Sequence, residues 1–154
     1  MFRKRLGEIL IEKRLITEEQ LAECLEEQKL TKEYVGAILL KKRLIKESDL
    51  MSALSVQFQM PFISLKMTYI DWNVSKEFAS IIAAEEKILP IAWDDASITA
   101  AISNPLDVMS IAKIEERARP KKLKLVLVTQ LELLEFLGEF KKRTKGSLKD
   151  LLDK

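Results

Sequence analysis

The sequence predicts an α+β protein: a four-helix lobe of two tandem helix-turn-helix units, then a smaller α+β lobe with a three-stranded sheet and helices. Three observations lead there. Residues 5–28 and 34–57 repeat one another at an offset of 29 and carry helical periodicity. Past Pro61 the texture shifts to short apolar runs, "KILPIAWD" (87–94), "SITAAIS" (97–103) and "KLKLVLV" (122–128), which read as strands. Between and around those runs lie cap and turn signals for further helices, the interleaving that an α+β lobe requires.

In the first lobe, Leu6, Ile9, Leu10 and Lys13 share a helix face, and Leu21, Leu25 and Gln28 share another. Val35, Ile38 and Leu39, then Leu50, Leu54 and Gln57, repeat the pattern. Thr17 followed by Gln20 is a capping box opening the second helix. The third helix is expected to start near Lys32 and the fourth near Glu47. In the second lobe, Ser75 to Glu85 is expected as one helix. "WDDAS" supplies Asp-Asp turn chemistry for a hairpin. Asn104-Pro105 reads as a cap and first helical position, with the helix running to about Arg117 and stopping before Pro120. Thr129 with Glu132 reads as a capping box for a helix through about Lys142. The expected domains are 1–60, the tandem-motif helical lobe; 61–142, the α+β lobe; and 143–154, a linker or flexible tail.

Composition narrows the function. The chain has 154 residues, 47% of them apolar and 32% charged, with a net charge of +2. That balance does not suit a general DNA or RNA binder, which shows a basic face. No apolar run approaches the roughly 18–20 residues that a membrane span needs. There is no histidine and one cysteine, Cys24, so His-based nucleophilic sites and zinc sites lack their ligands. A single cysteine also suits a reducing compartment. The four glycines fit no G-x-x-x-x-G-K-[ST] loop. A catalytic role therefore has nothing to rest on, and a cytoplasmic binding or interaction module is expected. Asp94–Asp95 read as a turn. Lys121, Lys122 and Lys124 read as a solvated strand edge. Cys24, which matches Ala53, reads as a small packing residue, and Trp72 and Trp93 as core or interface aromatics.

The repeat itself holds the sharpest signal. The two stretches agree at 11 of 24 positions: Gly7/Gly36, Ile9/Ile38, Leu10/Leu39, Lys13/Lys42, Arg14/Arg43, Leu15/Leu44, Ile16/Ile45, Glu18/Glu47, Leu21/Leu50, Leu25/Leu54 and Gln28/Gln57. Shared packing explains most of the apolar matches. Gly and Gln are harder to assign to packing. An early helical Gly costs about 0.5–1 kcal/mol relative to Ala and marks a close backbone approach, and a Gln on an apolar side needs a hydrogen-bond partner. Two such half-sites suit a ligand that is itself two similar halves.

This arrangement resembles the tandem motif of the MshEN domain, the N-terminal domain of type II secretion and type IV pilus assembly ATPases. "MPFISL", "EEKILPIAWDDASITAAISNPLDV" and "LVLVTQLELLEFL" extend the resemblance to about residues 3–142. The resemblance implies a non-enzymatic regulatory domain that binds cyclic-di-GMP, one half of the ligand per motif, with no other cofactor and no metal. Carried over by position, the first half-site is Arg5, Leu6, Gly7, Leu10, Leu21, Leu25 and Gln28; the second is Tyr34, Gly36, Leu39, Leu50, Leu54 and Gln57. It further implies two partners, the ATPase domain and the cytoplasmic part of an inner-membrane platform protein. The implied location is cytoplasmic, with recruitment to the inner face of the inner membrane and no membrane insertion.

Two departures from the family pattern stand out. Tyr34 replaces the Arg of the second motif, keeping a stacking surface and losing a cation. Arg14 and Arg43 replace a mid-motif Gly in both repeats; they either disturb a left-handed turn or offer phosphate contacts. The alternative function is a domain that no longer binds nucleotide and serves as a docking module for the secretion platform.

Overall fold

The computed structural model describes the backbone of residues 4–152 and side chains of residues 4–145. The chain forms two compact units, Met1–Met60 and Pro61–Lys154. The first holds four helices: α1 (Leu6–Glu12), α2 (Glu18–Thr31), α3 (Val35–Lys41) and α4 (Glu47–Phe58). The second contains a 3-10 turn (Leu65–Met67), then α5 (Trp72–Glu77), α6 (Ala79–Glu85), β1 (Ile88–Trp93), β2 (Ser97–Ile102), α7 (Val108–Ala118), β3 (Lys122–Leu127) and α8 (Gln130–Leu152). This is the α+β class that the sequence predicts.

In the second unit the sheet order is β1-β2-β3. β1 and β2 form an antiparallel hairpin, and β3 returns parallel to β2 after the α7 crossover. The hairpin turn is made by Asp94, whose Oδ1 accepts from the backbone N–H of Ala96 at 2.8 Å and of Ser97 at 2.7 Å. Those bonds favour the ionised carboxyl and hold its pKa below the ordinary aspartate value. Ile88, Leu89, Ile98, Ile102 and Leu127 are fully buried, and Leu133, Leu137 and Phe140 of α8 are buried with them.

Several boundaries differ from the sequence reading, each for a local reason. Lys32 takes a left-handed conformation (φ 65°) and donates its N–H to Gln28 O at 2.8 Å, so it closes α2 and the third helix starts at Val35. Ser75–Glu85 is not one helix, because Phe78 leaves the helical region (φ −115°, ψ 21°) and separates α5 from α6. Asn104 caps a turn: its Oδ1 accepts Leu106 N–H at 2.9 Å, and α7 begins only at Val108. Thr129 Oγ1 accepts Glu132 N–H at 3.2 Å, half of a capping box. The Glu132 carboxylate instead leaves its own helix and accepts from Leu65 N–H and, at 3.0 Å, from Ser64 Oγ. Helix α8 continues ten residues past Lys142, so 143–152 is helical and residues 153–154 lie outside the described residues. The i,i+4 pair of Arg143 Nε with Glu139 Oε1 at 3.2 Å supports the helix there, and Thr144 Oγ1 donates back to Phe140 O at 2.5 Å. Trp93 is 44% exposed and so is no core residue; its ring meets Phe78 edge-on at 6.4 Å.

Candidate functional site

The candidate site belongs to the first unit, and its construction starts at the helix ends. Arg5 and Tyr34 are the N-caps of α1 and α3, both extended (φ −74°, ψ 153° and φ −63°, ψ 143°), and neither side chain caps its helix. Both side chains are left exposed, Tyr34 by 48%. Two residues further, Gly7 and Gly36 are buried. A methyl group on Gly7 would sit 2.6 and 2.7 Å from the two δ carbons of Leu21, and one on Gly36 would sit 2.9 Å from Leu50 Cδ1. The close approach marked by these glycines is thus made by a leucine of the following helix. On the Cβ side of both glycines the space is filled by packing.

The helix C-termini show what Arg14 and Arg43 do. Both are left-handed, with φ 60° and 58°. Arg14 N–H donates to Ile11 O at 2.9 Å and Leu15 N–H to Leu10 O at 3.0 Å. Arg43 N–H donates to Leu40 O and Leu44 N–H to Leu39 O, each at 3.0 Å. These paired bonds are the Schellman closure, which glycine normally serves. The turn is therefore kept despite the arginines, at about 1–2 kcal/mol for each left-handed non-glycine residue. Both guanidinium-bearing residues are exposed.

Burial sorts the remaining candidates. Leu10 and Leu39 have no exposed surface, and Leu6 and Leu50 are buried at 9% and 7%. These four leucines belong to the buried core. Leu21 and Leu54 are half-buried and Leu25 is 40% exposed. Gln28 and Gln57 are half-buried, and among the described residues neither amide has a protein hydrogen-bond partner. Each keeps a donor and an acceptor available. The accessible set is Arg5, Leu25, Gln28, Tyr34, Leu54 and Gln57, with Arg14 and Arg43 at the turns.

The helices bring the repeats together reciprocally. α1 packs on α4 and α2 on α3, so exchanging the two repeats maps one contact onto the other. The repeats also share a bridge that spans each first helix. Lys4 Nζ meets Glu12 Oε1 at 2.6 Å, and Lys41 Nζ meets Glu33 Oε2 at 2.6 Å, the same two positions with the charges reversed. Sequence reasoning missed this pair because residues 4 and 33 lie one position outside the matched window. Comparing charge sign at the offset of 29 would have found it.

Cys24 is buried, and desolvation raises its pKa despite the neighbouring Lys42. The thiol is a packing group, as its match to the fully buried Ala53 implies. Glu27 Oε2 lies 3.4 Å from Lys42 Nζ, a charge contact without hydrogen-bond geometry. Among the described residues no group of three or more His, Cys, Asp or Glu side chains could hold a metal ion. No helix there is long and apolar enough to cross a membrane.

A helical unit of two reciprocally packed repeats is followed along the chain by a mixed-sheet unit. The chain belongs to the MshEN domain family, whose model matches residues 58–147. It is similar to a solved structure of MshE with cdg, at 24% identity and a TM-score of 0.82, covering 90% of this chain and 99% of that one. It also resembles the N-terminal domain of XpsE, at 16% identity and a TM-score of 0.62, covering 90% of this chain and 97% of that one. No curated protein sequence matches it.

Proposed function

We propose that this chain is the regulatory N-terminal domain of a type II secretion or type IV pilus assembly ATPase and binds cyclic-di-GMP across its two repeats. The observation that carries this reading is the reciprocal packing of α1 on α4 and α2 on α3, which presents matched side chains twice. A ligand of two like halves meets Arg5, Leu25 and Gln28 on one repeat and Tyr34, Leu54 and Gln57 on the other. Arg5 stacks on or pairs with a guanine. Tyr34 stacks without the cation. The glutamine amides supply the hydrogen bonds for which they have no protein partner, and Arg14 and Arg43 are the candidate phosphate contacts. The similarity to MshE, solved with cdg, supports the choice of ligand.

Amide NMR during a cyclic-di-GMP titration tests the assignment. Shifts are expected at Arg5, Gln28, Tyr34 and Gln57. Shifts confined to β1–β3 would overturn it.

Tyr34 favours a second reading. It stands on the backbone position that Arg5 occupies in the first repeat, and half its surface is exposed without the cation. In that reading the repeats have lost the nucleotide and dock the cytoplasmic part of an inner-membrane platform protein. Either role places the domain in the cytoplasm, at the inner face of the inner membrane when its partners are engaged.

A further inference from the structure

Outside the repeat site, a pair of concave surfaces among the described residues of the second unit differ in their electrostatics. The larger, about 820 Å³ beside α8, has its Lys66 matched by Glu135 at 3.6 Å and its Arg143 by Glu139 at 3.2 Å. The smaller, about 210 Å³, lies where α7 ends against β1. Phe78, Trp93, Ala118 and Pro120 supply its apolar lining. Arg117, Arg119 and Lys121 stand around it against a single carboxylate, Glu77. Lys121 lies 5.5 Å from the Trp93 ring centroid and donates to Asp94 O. Among the described residues Arg117 and Arg119 make no ion pair, and neither do Lys122 and Lys124 on the adjoining strand. An apolar hollow with uncompensated cations fits an acidic surface carrying one protruding apolar side chain.

The chain carries such a surface itself. On α2 the spacing of Glu19, Glu23, Glu26 and Leu30 places all four on one helix face. The three glutamates are exposed and Leu30 is 86% exposed. That face is turned away from the one that carries Leu21 and Gln28. Among the described residues Glu26 is engaged by Lys29 at 3.0 Å, in a solvent-exposed pair that is worth little.

We infer that this protein self-associates head to tail, with the Glu19–Glu23–Glu26–Leu30 face of one copy docking on the Trp93 hollow of another. Leu30 enters the hollow and the glutamates meet Arg117, Arg119 and Lys121. Because the two surfaces differ, the contact is heterologous, and repetition gives a ring where the rotation closes and a filament where it does not. A bilayer, the other acidic surface available to such a patch, has no protruding side chain to fill a hollow.

Sedimentation equilibrium of the wild-type chain tests the inference, beside Arg117→Glu/Arg119→Glu and Glu23→Lys/Glu26→Lys, with circular dichroism as the check on folding. The wild type is expected to gain mass with concentration and to lose that gain as salt shortens the Debye length to about 10 Å and below. Each reversed variant alone should associate at least about tenfold more weakly, since like charges then face each other. An equimolar mixture of the two should recover association, because each now complements the other. Leu30→Ser should also weaken the wild-type contact. A wild type that stays monomeric at every concentration overturns the inference. So does association that neither reversal nor salt alters. Binding of the basic patch to anionic vesicles by a monomeric chain would overturn it in favour of a membrane contact.

Discussion

The two repeats of the helical unit are close copies in the interior and different molecules on the surface. Both keep a buried glycine under a leucine of the next helix, Gly7 with Leu21 and Gly36 with Leu50. Both close the first helix through a left-handed arginine over a fully buried leucine. Even the bridge along the first helix survives, with its charges reversed. What changes is what solvent or a ligand would meet: Arg5 becomes Tyr34, Thr17 becomes Lys46, and the Glu27–Lys42 contact has Val56 and Lys13 at the matching positions. Packing constrains both repeats equally, and divergence is concentrated where packing does not reach.

The largest stability effect should come from the glycines. Gly7→Ala forces both δ methyls of Leu21 to retreat and is expected to cost about 1–3 kcal/mol by overpacking, offset in part by better helix propensity. Gly36→Ala confronts one close methyl and should cost less. Chemical denaturation of the two variants measures this, and a stabilised Gly7→Ala would show that Leu21 swings clear.

The caps come next. Thr17 and Gln20 form a complete capping box, with bonds of 3.1 and 3.0 Å. In the second repeat only the Asp49 carboxylate returns, to Lys46 N–H at 3.1 Å, because a lysine side chain has no acceptor. Thr17→Ala should therefore lower stability by about 1 kcal/mol, while Lys46→Thr raises it by about 0.5–1. Thermal melts that show no gain for Lys46→Thr would mean that the second cap is already satisfied. The smallest effect is at the turns. Arg14→Gly or Arg43→Gly relieves the left-handed strain and adds unfolded-state entropy, leaving a net gain of about 0.5–1 kcal/mol per site. A loss in either variant would assign that arginine a stabilising contact.

These comparisons also mark what the sequence could disclose. Periodicity of 3.6 and of 2 located the helices and strands, because burying one face is a local demand that each segment states for itself. The tertiary use of a residue was not legible. Gly7 announced a close approach without naming Leu21 as its cause. Leu10 and Leu25 look alike in the motif, yet one is fully buried and the other 40% exposed. Glu132 gives Thr129 its backbone N–H as the sequence suggests, but its carboxylate reaches the 3-10 turn more than sixty residues earlier, a contact that only the folded chain creates. The left-handed arginines went the other way. Their alignment with a family glycine suggested the turn, and the dihedrals show that the turn is there.

The central claim is that two like half-sites face one two-fold ligand, one of them short of a cation. Calorimetric titration of cyclic-di-GMP into the wild type, Arg5→Ala and Tyr34→Arg tests it most directly. The account predicts that the wild type binds and that Arg5→Ala weakens binding by about ten- to a hundredfold, the loss of one charge-assisted bond. It also predicts that Tyr34→Arg binds more tightly than the wild type. Absence of heat from both the wild type and Tyr34→Arg would contradict it.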